Sequence, residues 1–105
     1  MGSRQMIYVD KSPIDGRGVF AAVRIPRGTF LGTFKGPPAK RDGKYVLWVY
    51  AGRRVVGRRG RNQLRYLNHC DRPNAEFDGF DLYAKRSIAP GDEITIHYGV
   101  DEGEL

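Results

Sequence analysis

Apolar and polar residues alternate along this chain in short β-rich runs, each closed off by turn chemistry. The runs are Met6 to Val9, Val19 to Val23, Thr29 to Phe34, Tyr45 to Tyr50, Val55 to Val56, Ala75 to Phe77, Asp81 to Ala84 and Glu93 to His97. Between them lie Asp15-Gly16, Pro26-Arg27-Gly28, Gly36-Pro37-Pro38, Asp42-Gly43, Asp78-Gly79 and Pro90-Gly91-Asp92, residues that set or release φ for tight turns. No window sustains an amphipathic helix of ordinary length. One short helix is predicted around Asn62 to Leu67, with Asn62 as its cap and Gln63, Leu64 and Arg65 as good helix formers. The pattern therefore predicts a mainly β protein. A faint echo links Ala22 to Thr29 with Ala84 to Asp92, each a strand end running into a Pro/Gly turn, too short to count as a repeat.

The length of 105 residues fits one domain spanning 1–105, with a core of about 6–100. At this size roughly 65% of the unfolded surface can be buried, enough for one small core. Hydrophobic residues make up 40% of the chain, above the signature of disorder. No apolar run approaches the ~20 residues that span a bilayer, so no membrane partner is expected. The amino terminus lacks the layout of a secretory signal. Met1-Gly2-Ser3 reads as an expression remnant, and a cytoplasmic location is expected, with export into a host cell or a host nucleus as alternatives. Cys70 is the only cysteine, which excludes an internal disulfide and a zinc site built from several thiolates. No metal site is expected.

The formal charge is +6, and the excess is concentrated: Arg53, Arg54, Arg58, Arg59, Arg61 and Arg65 crowd one stretch. Such a cluster can meet nucleic-acid phosphates or an acidic protein surface, or can simply be a solvated face.

Three segments carry candidate chemistry. Gly16-Arg17-Gly18 opens like a dinucleotide fingerprint, but that motif needs a buried strand before it and a helix after it, whereas Pro26 and Gly28 cut short the strand-like sequence that follows. A Gly-x-Gly can instead bring bare backbone against a polar ligand. Arg65-Tyr66-Leu67-Asn68-His69-Cys70-Asp71-Arg72-Pro73-Asn74 places core-like Tyr66 and Leu67 directly before Asn68 and His69, holding two polar groups near the interior, where they need partners. Ile88 to Gly99 is a tight turn feeding an alternating strand that ends at Tyr98. A hydrolase built on Cys70, His69 and His97 is disfavoured, because His69 is the neighbour of Cys70 and no other metal-type cluster is visible.

The three segments, in this order, resemble the SET-domain protein lysine methyltransferases. Gly16-Arg17-Gly18 is similar to the family's glycine motif, Arg65 to Asn74 to its Asn-His…Pro-Asn motif, and Glu93 to Gly99 to its Thr-x-x-Tyr ending. The likeness covers about Met6 to Gly99 and is strongest to the minimal viral and bacterial SET proteins, which lack cysteine-rich flanking modules. Departures are Cys70 for the usual Ser, Asp71 where many members carry Cys, His97 for the Asp before the catalytic Tyr, Val56 for a common Asp, and Gly32 and Phe34 for a Glu and a Tyr.

The resemblance implies a SET (β-clip) fold of several small sheets with one short helix and a C-terminal pseudoknot. It implies S-adenosyl-L-methionine as cofactor, held by Gly16, Arg17, Gly18, Tyr45, Arg65, Asn68 and His69. Tyr98 would be the catalytic residue, and Phe77, Ile96 and Tyr66 would line a channel for the lysine of a protein substrate such as a histone or another basic protein. Phe77 lacks a hydroxyl, so more than one methyl is expected to be added. Seven residues follow Tyr98, leaving no room for a zinc-binding tail. Either the acidic end, Asp101, Glu102 and Glu104, or a second protomer in a homodimer is then expected to close the channel. The alternative function is a non-catalytic SET-like module that binds nucleic acid or an acidic partner through the Arg53 to Arg65 cluster.

Overall fold

In a computed structural model the structure describes residues 5–98; Met1 to Ser3 and the acidic end lie outside the described residues. Among the described residues ten short strands and one 3-10 helix follow in the order β1 (Ile7–Lys11), β2 (Arg17–Ala21), β3 (Phe30–Thr33), β4 (Pro38–Ala39), β5 (Val46–Ala51), β6 (Arg54–Arg59), the helix (Gln63–Tyr66), β7 (Asn68–His69), β8 (Ala75–Asp78), β9 (Asp81–Ala84) and β10 (Glu93–Ile96). They form three small sheets, β1-β2-β10-β7, β3-β9-β8 and β4-β6-β5. The chain is mainly β, with several small sheets and almost no helix, as its alternating pattern predicts.

The first sheet holds the unusual connection. β10 pairs antiparallel with β2 through Glu93 and Ile94, then parallel with β7 through Thr95 and Ile96. A late strand is thus inserted between two earlier ones. Being covered on both sides, Ile94, Thr95 and Ile96 are all buried, and Thr95 is the only buried polar residue among the described residues. The Asn74 side chain grips this strand: its amide donates to the Glu93 carbonyl at 2.9 Å and its carbonyl accepts from the Thr95 N–H at 2.8 Å. One side chain here satisfies two main-chain groups of an inserted strand, which a buried backbone requires.

The echo between the two Pro/Gly turns is a structural pairing. Ile25 and Ile88 exchange both of their backbone hydrogen bonds, at 2.9 and 2.8 Å. The Gly28 N–H donates to the Ala84 carbonyl and the Gly91 N–H to the Ala21 carbonyl, while the Ala84 N–H reaches Thr29 and the Ala21 N–H reaches Asp92. The same three bonds are made twice, as around a local two-fold axis. Gly28 and Gly91 occupy the same left-handed conformation, φ 87° at both, which a side chain would strain. Ile25 and Ile88 are fully withdrawn from solvent and join Val19, Phe34, Leu64, Leu82 and Ile94 in the core.

The predicted helix is one turn of 3-10 helix, and Leu64 is the residue it buries. Asn62 occupies the cap position but makes no capping bond. Its amide instead donates to the Thr33 carbonyl at 2.7 Å, and its carbonyl accepts from the Lys35 N–H, tying the helix to β3. Among the described residues no helix is long and apolar enough to cross a membrane.

Candidate functional site

Two clefts meet at Tyr98. One, of about 530 Å³, is bounded by the Ile14 to Arg17 loop, by Lys44 and Tyr45, and by Arg65 to His69. The other, of about 470 Å³, is bounded by Leu47 to Tyr50 of β5, by Asp71 and Pro73, by Glu76 and Phe77 of β8, and by Ile96 and His97. Tyr98 lines both.

The position of Tyr98 follows from the inserted strand. Leaving β10, its N–H donates to His69 Nδ1 at 3.0 Å, and its hydroxyl donates to the Leu67 carbonyl at 2.9 Å. The residue as a whole is 37% exposed, while its hydroxyl is part-buried against the Leu67 carbonyl. Burial pushes the phenol from its ordinary 10.0 up to about 12. At neutral pH this group is a hydrogen-bonding phenol and not a base.

Asn68 organises the wall of the larger cleft. Its amide nitrogen lies 3.0 Å from the Arg17 carbonyl, 3.1 Å from the Asp15 carbonyl, 2.9 Å from Glu93 Oε2 and 3.1 Å from Ser12 Oγ. Two N–H groups are shared among these acceptors, binding the glycine loop to β10. Ser12 donates in turn to the Glu93 carboxylate. Gly18 is buried beside that carboxylate, and a Cβ there would collide with Glu93 Oε2. Ser12 and Glu93 are the partners that sequence reasoning missed; the one available signal is a carboxylate heading an otherwise apolar strand.

The sequence-predicted residues divide as follows. Gly16, Arg17, Tyr45, Arg65, Asn68 and His69 line the larger cleft, and Gly18 sits behind it. Phe77 and Ile96 line the smaller cleft, and Phe77 packs edge-on against Phe34, ring centroids 6.1 Å apart. Tyr66, expected with them, instead faces the larger cleft. Its ring meets Tyr45 edge-on at 5.7 Å, and its hydroxyl accepts from Arg65. Arg65 also donates to the Arg61 and Asn62 carbonyls and lies over the Tyr66 ring, so it braces this wall.

The arginine cluster is split. Arg58 donates to the Phe34 carbonyl and stacks on Phe80 at 4.0 Å, and Arg65 is engaged as above. Arg53, Arg54, Arg59 and Arg61 are exposed. The smaller cleft carries Asp71 and Glu76 against Lys85, so the net basicity of the chain is not repeated there. Glu76 of β8 is at this cleft, whereas Asp81 of β9 accepts from Thr33 Oγ1.

Both nitrogens of His69 are occupied, Nδ1 by Tyr98 and Nε2 by Asp71 at 3.1 Å, so His69 is not directed at Cys70 as a base. Where the sequence showed no metal-type cluster, folding creates one: ligand atoms of His69, Asp71 and His97 lie within 4.8 Å of one another. The strand pairing of β7 with β10 brings together positions that are far apart in the chain.

The SET domain profile matches residues 16–99, and the chain belongs to the SET domain family. Its fold is shared with solved methyltransferase structures. A candidate histone methyltransferase of Plasmodium falciparum is 22% identical, with TM-score 0.62 over 93% of this chain and 96% of that one. The methyltransferase domain of human PR domain-containing protein 2 is 24% identical, with TM-score 0.69 over 99% and 84%. The methyltransferase domain of human histone-lysine N-methyltransferase SETMAR is 20% identical, with TM-score 0.76 over 92% of this chain and 45% of that one. No curated protein matches the sequence.

Proposed function

We propose that the chain is an S-adenosyl-L-methionine-dependent protein lysine N-methyltransferase. The observation that carries this reading is the pair of clefts sharing Tyr98, one polar and basic, the other walled by aromatic side chains with carboxylates at its rim. The larger cleft suits the cofactor. Its volume lies within the usual range of small-molecule sites. Arg17 and Lys44 offer partners for an amino-acid carboxylate, and Tyr45 and Tyr66 offer aromatic faces for a base. Gly16 allows close approach to the backbone, and the backbone groups of Asn68 and His69 form the remaining wall.

When bound, the cofactor supplies an electrophilic methyl group on a sulfonium. The protein's part is alignment: Tyr98 is anchored at both its N–H and its hydroxyl, and its phenolic oxygen would orient the lysine amine toward the methyl group. The amine must attack as the neutral base although its free pKa is ~10.4, and an apolar channel beside a positive charge favours the neutral form. The methyl group would come from the cofactor held by the larger cleft, and the proton of the amine would leave to solvent. Phe77, with no hydroxyl to fix a water, leaves room for more than one methyl, and Phe77→Tyr should restrict the product.

The substrate proposed is a lysine in a basic protein segment such as a histone tail, since Asp71 and Glu76 flank the smaller cleft. The deciding experiment is calorimetry with S-adenosylhomocysteine followed by labelled-methyl transfer into candidate proteins. Binding together with transfer that stops in Tyr98→Phe supports the reading. Failure of the wild-type protein to bind, with peptide present, favours the non-catalytic module.

A further inference from the structure

His97 departs from the family pattern, and the structure shows what the departure creates. Its ring lies edge-on to His69, centroids 4.4 Å apart. Asp71, its side chain 90% exposed, keeps a carboxylate oxygen 3.1 Å from His69 Nε2 at the surface. Among the described residues nothing hydrogen-bonds the His97 ring. Two imidazoles and one carboxylate, from two separate stretches of chain, therefore converge where Tyr98 begins.

This is the donor set of a borderline divalent ion, because imidazole suits zinc, copper and nickel and a carboxylate completes a facial triad. Ligand atoms on a tetrahedral ion with bonds of about 2 Å sit about 3.3 Å apart. The three atoms here lie within 4.8 Å of one another, and the side chains are exposed enough to close that difference by rotation. We propose that His69, Asp71 and His97 form a binding site for a divalent transition-metal ion, and that occupancy withdraws from Tyr98 the acceptor that anchors its backbone.

The coupling follows from hydrogen positions. His69 Nδ1 accepts the Tyr98 N–H, so in the neutral ring the proton is on Nε2, pointing at Asp71. An ion bound at Nε2 needs that lone pair. The proton then belongs on Nδ1, where it would face the Tyr98 N–H donor to donor. The ring must turn, and Tyr98 keeps only its hydroxyl bond to Leu67. The ion would thus act on Tyr98 from the wall that the two clefts share, since His69 lines the larger cleft and Asp71 and His97 line the smaller one.

The test needs no methyl transfer. Chelator-treated full-length protein is titrated with zinc chloride by calorimetry, and amide resonances are followed by nitrogen-15 NMR. One ion per chain is expected, with affinity reduced at least tenfold in His97→Ala and in Asp71→Asn and unchanged in Asp78→Asn. Both altered side chains are exposed, and circular dichroism checks that the variants fold. The Tyr98 amide should move on zinc addition, more than the amides of β5 and β6. Absence of saturable binding, or equal affinity in wild type and both variants, overturns the site. Saturable binding that leaves the Tyr98 amide in place overturns the coupling.

Discussion

The sheet built from β1, β2, β10 and β7 and the sheet built from β4, β6 and β5 treat their polar residues in opposite ways. In the first, Asn68 and Glu93, with Ser12 and Asn74 of the adjoining loops, are bonded to one another or to main chain. In the second, Arg53, Arg54 and Arg59 face solvent, as do Tyr50, 61% exposed, and Val55, 54% exposed. Residues that look like chemistry in the sequence are here mostly scaffold for one phenol, while the conspicuous charge cluster contributes little to the core. A family motif can thus mark where the backbone must go before it marks what touches a ligand.

The contrast predicts a gradient of stability effects. Asn74→Ala leaves a buried carbonyl and a buried N–H of β10 without partners and should destabilise by about 2–4 kcal/mol in urea unfolding, at the usual cost per unsatisfied group. A loss no larger than that of an average surface substitution would break the comparison. Gly18→Ala pushes a methyl into the Glu93 carboxylate and should lose about 1–3 kcal/mol as an overpacked site. It should also weaken S-adenosylhomocysteine binding, since the displaced carboxylate is an Asn68 partner.

Tyr98→Phe should cost roughly 1 kcal/mol, the net value of one hydrogen bond. In the wild type, ultraviolet titration should show one phenol ionising near 12, from the burial already described. Native Tyr98 keeps its proton between pH 10 and 12 while the unfolded chain loses it. Its contribution to stability is therefore complete below about 10 and is lost as pH rises through about 12. That slope should vanish in Tyr98→Phe. At the small end, Tyr50→Ala on the exposed sheet should stay within about 0.5 kcal/mol of wild type in thermal unfolding.

Much of this fold is legible in sequence where pairing is local. Asp81 to Ala84 is a strand over the expected residues, because a tight turn sets its register against β8. The stretch Val55 to Val56 extends to Arg54–Arg59, since β5 supplies a hydrogen-bond ladder regardless of the arginines. β4 and β7 have no pattern of their own, and each exists only through a distant partner. The same holds for the site. The residues of the larger cleft could be named from motif likeness, but Tyr66 changes sides because its hydroxyl is taken by Arg65. The His69-Asp71-His97 cluster depends on a parallel pairing that no local pattern announces.

The insertion of β10 between β2 and β7 also sets an order of events during synthesis. Val19 must wait for Ile94 before its sheet has a centre, and the Ile25 turn must wait for Ile88. A nascent chain emerging from the ribosome would hold β1 and β2 as an isolated hairpin, which is marginal in water. Closing such long loops before any contact rewards them makes folding slow. Until Ile96 has emerged, the unpaired edge of β2 is an open template for other chains, so this protein should depend on chaperones more than its modest length suggests.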